Sequence, residues 1–458
     1  MKSTVDRSRR PAGGIPGITP QPEFRRERHP QGLEVFLAPR ADVPLVELEL
    51  LLTDGGSDRN PADRAGLARL TASLLDEGTA RHSGPELVAD LERRGGALST
   101  SAGWNAATIR LSLPSSELVF GLDLLGELAL EPTFPERELE RLRRRALAEL
   151  SRRFDSPASL AEELFARTIY AGTVLAELPI GSSASLAAIS RDDVVGFHER
   201  RLRQVAARLV VAGDLGGRPD LLVTGSLPPG LARSVARDSP PVTAPDRDGV
   251  VVRIVDRPDA AQTEVRVGHL GVSRRDPDRT ALGFLNAILG GKFTSRLNLN
   301  LRERRGITYG VHSRLVDRKG RGPFLVSGAI ANEAVGVAVR ETLDEIRRLR
   351  EEPIRAVEID ETRNYLLGVF PYGLQTVEAL AARLRDIALH ELPLDHASRV
   401  LEEYRTIDAD RLRQVAAAHL HPERSVVVAA GPAATIAGQL EEIGEIEIRT
   451  PDPASDRL

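Results

Sequence analysis

Along this chain the apolar positions switch between two periods: every second residue, as in a half-buried strand, and every third or fourth, as on one face of a helix. LEVFLAPRADVPLVELELLLTDGG, from Leu33 to Gly56, predicts two strands joined by a polar turn. Leu67, Leu70, Leu74 and Leu75 then fall at helical spacing between Ala65 and Leu75. PELVADLERRGG predicts a second helix that stops at a glycine pair suited to a C-terminal cap. STSAGWNAATIRLSL reads as one strand, followed by helices from Glu117 to Leu130 and from Glu136 to about Leu150. The second half repeats this order, with strands in VVRIVDRPDAAQTEVRVGHLGV, a helix in ALGFLNAIL, a strand in FLVSGAIA and a helix in VGVAVRETLDEIRRLREE.

The repetition holds in register as well as in order. Sliding Ser190 to Asp214 by 218 residues onto Asp408 to Pro432 superposes Asp192 on Asp410, Val194 on Leu412, Leu202 on Leu420 and Gly213 on Gly431, without gaps. The heptapeptide RLRQVAA, present at 201 and at 411, implies a different offset that would misalign the glycine turns, and it reads as coincidence. Pro229 to Gly249 is rich in Pro, Asp, Arg and Ser with no apolar period, which predicts a linker. The predicted fold is α+β: two homologous domains from an internal duplication, each a mostly antiparallel sheet with helices packed on it. They span 21–228 and 250–446, with a disordered segment at 1–20, the linker at 229–249 and a tail at 447–458. The chain's 458 residues fit more than one core, because single cores stop growing at about 250–300 residues.

Composition narrows the function classes. A net charge of -4 offers nothing to nucleic acid or an anionic membrane, and no run approaches the roughly 20 apolar residues of a membrane span. Cysteine is absent, which excludes disulfides, thiolate metal sites and a cysteine nucleophile. The first 30 residues begin basic but contain no apolar signal-peptide core, so the chain reads as cytoplasmic unless an upstream start adds an export signal. No pair among its nine histidines has the H-E-x-x-H or H-x-x-E-H spacing of a zinc helix. His419 and His421 are close, but two residues apart at a helix-to-loop junction before Pro422 they are expected to point in different directions.

Two segments carry candidate chemistry. In GGKFTSRLNLNLRERRGITYGVHS, residues 290–313, Thr294 and Ser295 can cap a helix that Gly306 ends. The chain then becomes extended, so Arg302 on the last helical turn and Tyr309 on the strand are expected to face a common cleft. The second segment is GLARLTASLLDEGT, residues 66–79.

Together these segments resemble the pitrilysin (insulinase-like) zinc peptidase family. That family's metal helix reads G-x-A-H-x-x-E-H-x-x-x-x-G-T, and its second half carries F-T-S-R-L...L-R-x-x-x-G-x-x-Y. Glycines 55 and 56, LALEPTF and LPIGSSASLAAISRDDVVGFH extend the likeness over most of the chain. At the metal positions this chain has Arg69, Ala72 and Ser73, a guanidinium, a methyl and a hydroxyl that cannot bind zinc and activate its water. Glu149 lies near the place of the family's third ligand, although a mid-helix glutamate taken alone reads as part of a solvated face.

The resemblance implies a non-catalytic subunit with no cofactor of its own. Zinc would reside in a homologous partner chain that carries H-x-x-E-H, as in the family's two-chain peptidases and the mitochondrial processing peptidase. Arg302 and Tyr309 would stabilise the substrate carbonyl in the partner's site. An inert scaffold, or a protein that binds peptides without cleaving them, is the alternative. Retention of the Arg/Tyr pair favours the first.

Overall fold

A computed structural model describes residues 17, 22–204, 207–217, 231, 241–245, 247–452 and 458. The reading of 1–20 as disordered and most of the linker reading therefore lie outside the described residues.

The first domain holds strands β1 (Arg25–Arg28), β2 (Glu34–Pro39), β3 (Leu45–Leu52), β4 (Ala97–Ala102), β5 (Ala107–Pro114) and β6 (Ala207–Gly213). Its helices are α1 (Leu67–Ser73), α2 (Gly84–Arg93), α3 (Leu118–Leu130), α4 (Glu136–Arg153), α5 (Pro157–Ile169), α6 (Ser183–Ala188) and α7 (Arg191–Phe197). The second domain holds β7 (Val251–Asp256), β8 (Thr263–Leu270), β9 (Thr308–Leu315), β10 (Pro323–Ile330), β11 (Val426–Gly431) and β12 (Glu445–Arg449). Helices α8 (Arg279–Asn286), α9 (Val335–Glu351), α10 (Ala356–Val369), α11 (Val377–His390), α12 (His396–Thr406), α13 (Ala409–His419) and α14 (Ala433–Leu440) complete it.

The strand orders are β1-β2-β6-β3-β5-β4 and β12-β7-β11-β8-β10-β9, so five strands of one sheet map onto five of the other. Both sheets are mostly antiparallel; β2 with β6 and β7 with β11 are the matching parallel pairs. Gly213 and Gly431 end β6 and β11, and Val194 and Leu412 are both fully buried, as the 218-residue offset predicts. The RLRQVAA copies lie in unlike places, since the one at 411 is inside α13.

Two expectations are corrected. STSAGWNAATIRLSL forms two strands, β4 and β5, because the chain reverses at Gly103, whose N–H donates to the Ala106 carbonyl at 2.9 Å. The segment read as a tail from 447 begins inside β12, where alternating Ile446 and Ile448 run parallel to β7.

Each sheet packs one face on its own helices. Leu48, Leu50, Ile109 and Leu111 form part of the first core, and Val252, Ile254, Val267 and Val427 part of the second. Burying one such side chain contributes about 1.5–3 kcal/mol. The opposite faces are covered reciprocally. Helix α5 lays Leu160, Leu164 and Phe165 on Val255, Leu270, Leu325 and Val428 of the second sheet. Its counterpart α11 lays Val377, Leu380, Leu384 and Ile387 on Phe36, Leu51, Val210 and Ala212 of the first. The exchange locks the domains together, and each domain's motif stands beside an edge strand, α1 against β4 and the Asn298–Arg304 helix against β9.

Candidate functional site

Helix α1 is short and almost wholly apolar on its inner side, with Leu67, Ala68, Leu70 and Ala72 buried. Arg69 and Ser73, one turn apart, instead line a cleft of about 490 Å³ shared with β4 and α4. Across it, Arg69 Nη2 donates to Glu149 Oε2 at 2.8 Å and to Oε1 at 3.1 Å. Glu149, its side chain 42% exposed, is solvated as its sequence context suggested, but it is not free. It is paired with the residue at the first metal position, 80 residues away.

This donor set does not fit zinc. Ala72 is fully buried and offers no ligand, Ser73 offers a neutral hydroxyl, and Arg69 holds the carboxylate with a fixed positive charge. Asp76 lines the same cleft and accepts a hydrogen bond from Thr100 Oγ1 at 3.2 Å; burial raises its pKa above the ordinary carboxylate range.

The second motif lies at the edge of the second sheet. The helix predicted after Thr294 and Ser295 forms and takes π-helical geometry over Asn298–Arg304. Ser295 starts it through its carbonyl, which accepts from Leu299 N at 2.9 Å, while its hydroxyl accepts the Asn298 amide at 3.2 Å. Gly306, at φ 64°, ends it in the left-handed conformation that glycine tolerates. Asn298 Oδ1 then accepts from Val311 N at 3.0 Å and ties the helix to β9, blunting an edge strand.

Strict alternation along β9 would put Tyr309 on the inner row with Val311 and Ser313. A β-bulge prevents this. Thr308 pairs with Ile330 and Val311 with Gly328, three steps on β9 against two on β10. Thr308 Oγ1 holds the bulge, accepting from Gly310 N at 3.1 Å and donating to Ala329 O at 2.7 Å. Tyr309 is consequently 88% exposed.

The structure thus brings Arg302 and Tyr309 together: the Arg302 Cζ lies 5.5 Å from the Tyr309 ring centroid. It also adds a member that sequence reasoning missed. Phe293 lies 4.4 Å from the same Cζ and is 66% exposed, so the guanidinium contacts two outward-facing aromatic rings. The signal available in sequence was a lone phenylalanine between Lys292 and Thr294, outside any apolar period. The Arg302 guanidinium also approaches its neighbour Glu303 at 3.6 Å.

The histidines diverge. His419 Nε2 meets Asp278 Oδ2 at 2.7 Å, whereas the His421 ring meets Glu423 Oε1 at 3.2 Å through Nδ1 and the Ala418 carbonyl at 3.1 Å through Nε2. Asp276, Asp278 and His419 gather closely enough for a metal, but Arg411 already occupies Asp278 at 2.6 Å. Among the described residues no helix is long and apolar enough to cross a membrane.

Comparison with known proteins agrees with this layout. Residues 48–180 match the family model described as Insulinase (Peptidase family M16), and residues 188–366 match that described as Peptidase M16 inactive domain. An uncharacterized zinc protease of Mycobacterium tuberculosis is 26% identical over 93% of this chain and 96% of its own length. A non-peptidase homolog of Helicobacter pylori, YmxG, is 22% identical over 82% of this chain and 87% of its own. Among solved structures, a peptidase M16 inactive domain from Pseudomonas fluorescens superposes with a TM-score of 0.83 at 23% identity, covering 89% of this chain and 98% of that one.

Proposed function

The chain belongs to the insulinase (M16) peptidase family, and from that premise we propose that it is the non-zinc subunit of a two-chain metallopeptidase. One observation carries the reading. The positive charge at the lost metal position is neutralised by Glu149, while Tyr309 projects into solvent beside the part-buried Arg302 guanidinium. A scaffold has no need of an exposed phenol beside a guanidinium.

Hydrolysis of a peptide bond puts negative charge on the scissile carbonyl oxygen. In the proposed pair, the Tyr309 hydroxyl donates a hydrogen bond to that oxygen as charge develops. Arg302, with its planar fork of donors, fixes the neighbouring backbone carbonyl. The metal that supplies the nucleophile belongs to a homologous H-x-x-E-H partner. Substrates are peptides or unfolded segments.

The test is co-expression with such a partner from the neighbouring reading frame, followed by peptide cleavage assays on the purified pair. Cleavage by the pair and by neither chain alone is expected. Tyr309→Phe should lower kcat by about 10²-fold without preventing assembly, since one oxyanion donor is typically worth that much. An unchanged rate removes the assigned role and leaves the alternative reading, a protein that holds peptides without cleaving them, in keeping with the name of the Helicobacter relative.

A further inference from the structure

Between the two domains lies a second cleft, of about 510 Å³, that the reading above does not use. Its walls come from β3, β4, β5, α5, the start of the β9–β10 hairpin and the end of α11. Its size is within the ~300–1,000 Å³ usual for sites that hold a small molecule or a short piece of chain.

One guanidinium of its wall is left without a hydrogen-bond partner among the described residues. Glu49, 1% exposed, has both oxygens engaged by Arg385 Nη1 at 3.1 Å. Arg110 sits directly across the strand pair from Glu49, yet makes no hydrogen bond or ion pair with any described residue. Glu47 and Glu378 lie within its field, but they stand outside the cleft wall and accept from Ser112 and Thr376 instead. Arg110 thus stands in the field of Glu47, Glu49 and Glu378, yet its guanidinium donors are engaged by none of them. The cleft's other charges do not correct this. Arg314 is paired with Glu162 at 3.3 Å, and Asp317 is taken by Arg279 at 2.7 and 3.1 Å.

Towards the hairpin the wall becomes aromatic. Arg318, 8% exposed, stacks 4.2 Å from the Trp104 ring centroid and 5.6 Å from that of Tyr170. Its Nε has no partner, and neither has Nδ1 of His390, another buried residue of the same wall. Unpaired buried donors and acceptors are costly unless something outside the chain satisfies them. Unengaged guanidinium donors on Arg110, unmet polar atoms and an aromatic wall together call for an anion with an apolar body.

We propose that this cleft binds the free carboxyl terminus of a peptide, with the carboxylate on Arg110 and the last side chain against Trp104. The ligand class rests on the functional reading, because peptide hydrolysis releases one new carboxyl terminus at every cut. An inorganic anion would satisfy Arg110 but leave the aromatic wall unused.

Trp104 is the chain's single tryptophan, so its fluorescence reports on this cleft alone. The experiment titrates the purified full chain, without a partner, with N-acetyl-Phe-Leu as the free acid and as the C-terminal amide. The free acid should give a saturable change, and the amide should bind at least tenfold more weakly. Arg110→Gln should weaken the acid at least tenfold, and Arg110→Lys should recover part of the loss. Equal affinity for acid and amide, an absent saturable signal, or an unaltered affinity in Arg110→Gln overturns the proposal. Should either variant fail to fold, the acid-against-amide comparison on the natural chain decides alone. No partner takes part, so failure here is distinct from failure to find catalysis by the pair.

Discussion

The two halves of this molecule share a strand order and differ in where they keep their charge. In the first, Arg69 at the metal position is closed onto Glu149, with the two side chains 39% and 42% exposed. In the second, Arg302 lies between two aromatic rings, and Tyr309 projects with 88% exposure. A helix that has lost its metal would leave a lone carboxylate in the cleft. Here a guanidinium supplies the positive charge instead, so the first half needs nothing from outside. In the second half the Tyr309 hydroxyl has no partner among the described residues, and Arg302 meets a carboxylate only at 3.6 Å, on Glu303. The duplication supplied one frame twice; the difference is whether each motif is finished within the chain.

The largest effect should come from reopening the first half. Arg69→His combined with Ser73→His sets two imidazoles one turn apart on α1, facing Glu149 on α4, which is a three-ligand set with an open fourth position. The double variant should bind one zinc ion, measured by metal analysis after dialysis. Its thermal midpoint should rise on zinc addition and fall again with a chelator. At free zinc a hundredfold above Kd the gain is about 2.7 kcal/mol. Arg69→His alone should bind far more weakly. If the double variant takes up no zinc, the Arg69–Glu149 pair is an ordinary surface ion pair and the contrast loses its meaning.

The halves differ next at one buried position that responds to acid. His269 on β8 occupies the place of Leu52 on β3, as pairing with β11 and β6 shows. It is 2% exposed, donates from Nδ1 to Leu270 O at 3.0 Å and accepts at Nε2 from His421 N at 3.1 Å. Burial pushes its pKa down to about 4, so the folded ring stays neutral while the unfolded ring titrates near 6.5. Stability is then complete above pH 6.5 and declines as pH falls toward 4, because only the unfolded state takes up the proton. The loss from this residue is about 2 kcal/mol between pH 7 and 5. His269→Leu, the first half's own solution, should reduce that slope by this residue's share in urea titrations run at several pH values, because burial also pushes His390 and His396 down to about 4; the change costs His421 N–H its acceptor. An unaltered slope would assign the acid response elsewhere.

Sequence periodicity revealed most of this frame. Buried strands and amphipathic helices leave period-2 and period-3.6 traces, and the glycines at 213 and 431 pinned the repeat because both end a central strand. What stayed hidden was set by contacts far apart in sequence. The apolar stripe of α5 shows that it is buried, but not that the sheet burying it belongs to the other domain. Nor does alternation through Gly103, Trp104 and Asn105 break visibly where β4 turns into β5. Glu149 looked unpaired because its partner lies 80 residues upstream. The β9 bulge shows only in pairing register, and that bulge turns Tyr309 outward.

The smallest effect tests whether Phe293 belongs to the second motif or merely adjoins it. Its ring is nearer the Arg302 guanidinium than that of Tyr309, at 4.4 against 5.5 Å, and it is 66% exposed, so it contributes little to the core. Exposed cation–π contacts are worth about 0.5–1 kcal/mol, which is roughly two- to fivefold in an equilibrium or a rate. Phe293→Ala should leave the thermal midpoint of the isolated chain unmoved and lower kcat/KM of the proposed pair by about that factor. Phe293→Tyr, which keeps the ring, should recover it. A ring that steadies Arg302 acts through that residue, so in an Arg302→Ala background the addition of Phe293→Ala should cost nothing more. Additive losses would mean that Phe293 touches the peptide itself, and the second half would then carry three contacts for its partner's substrate instead of two.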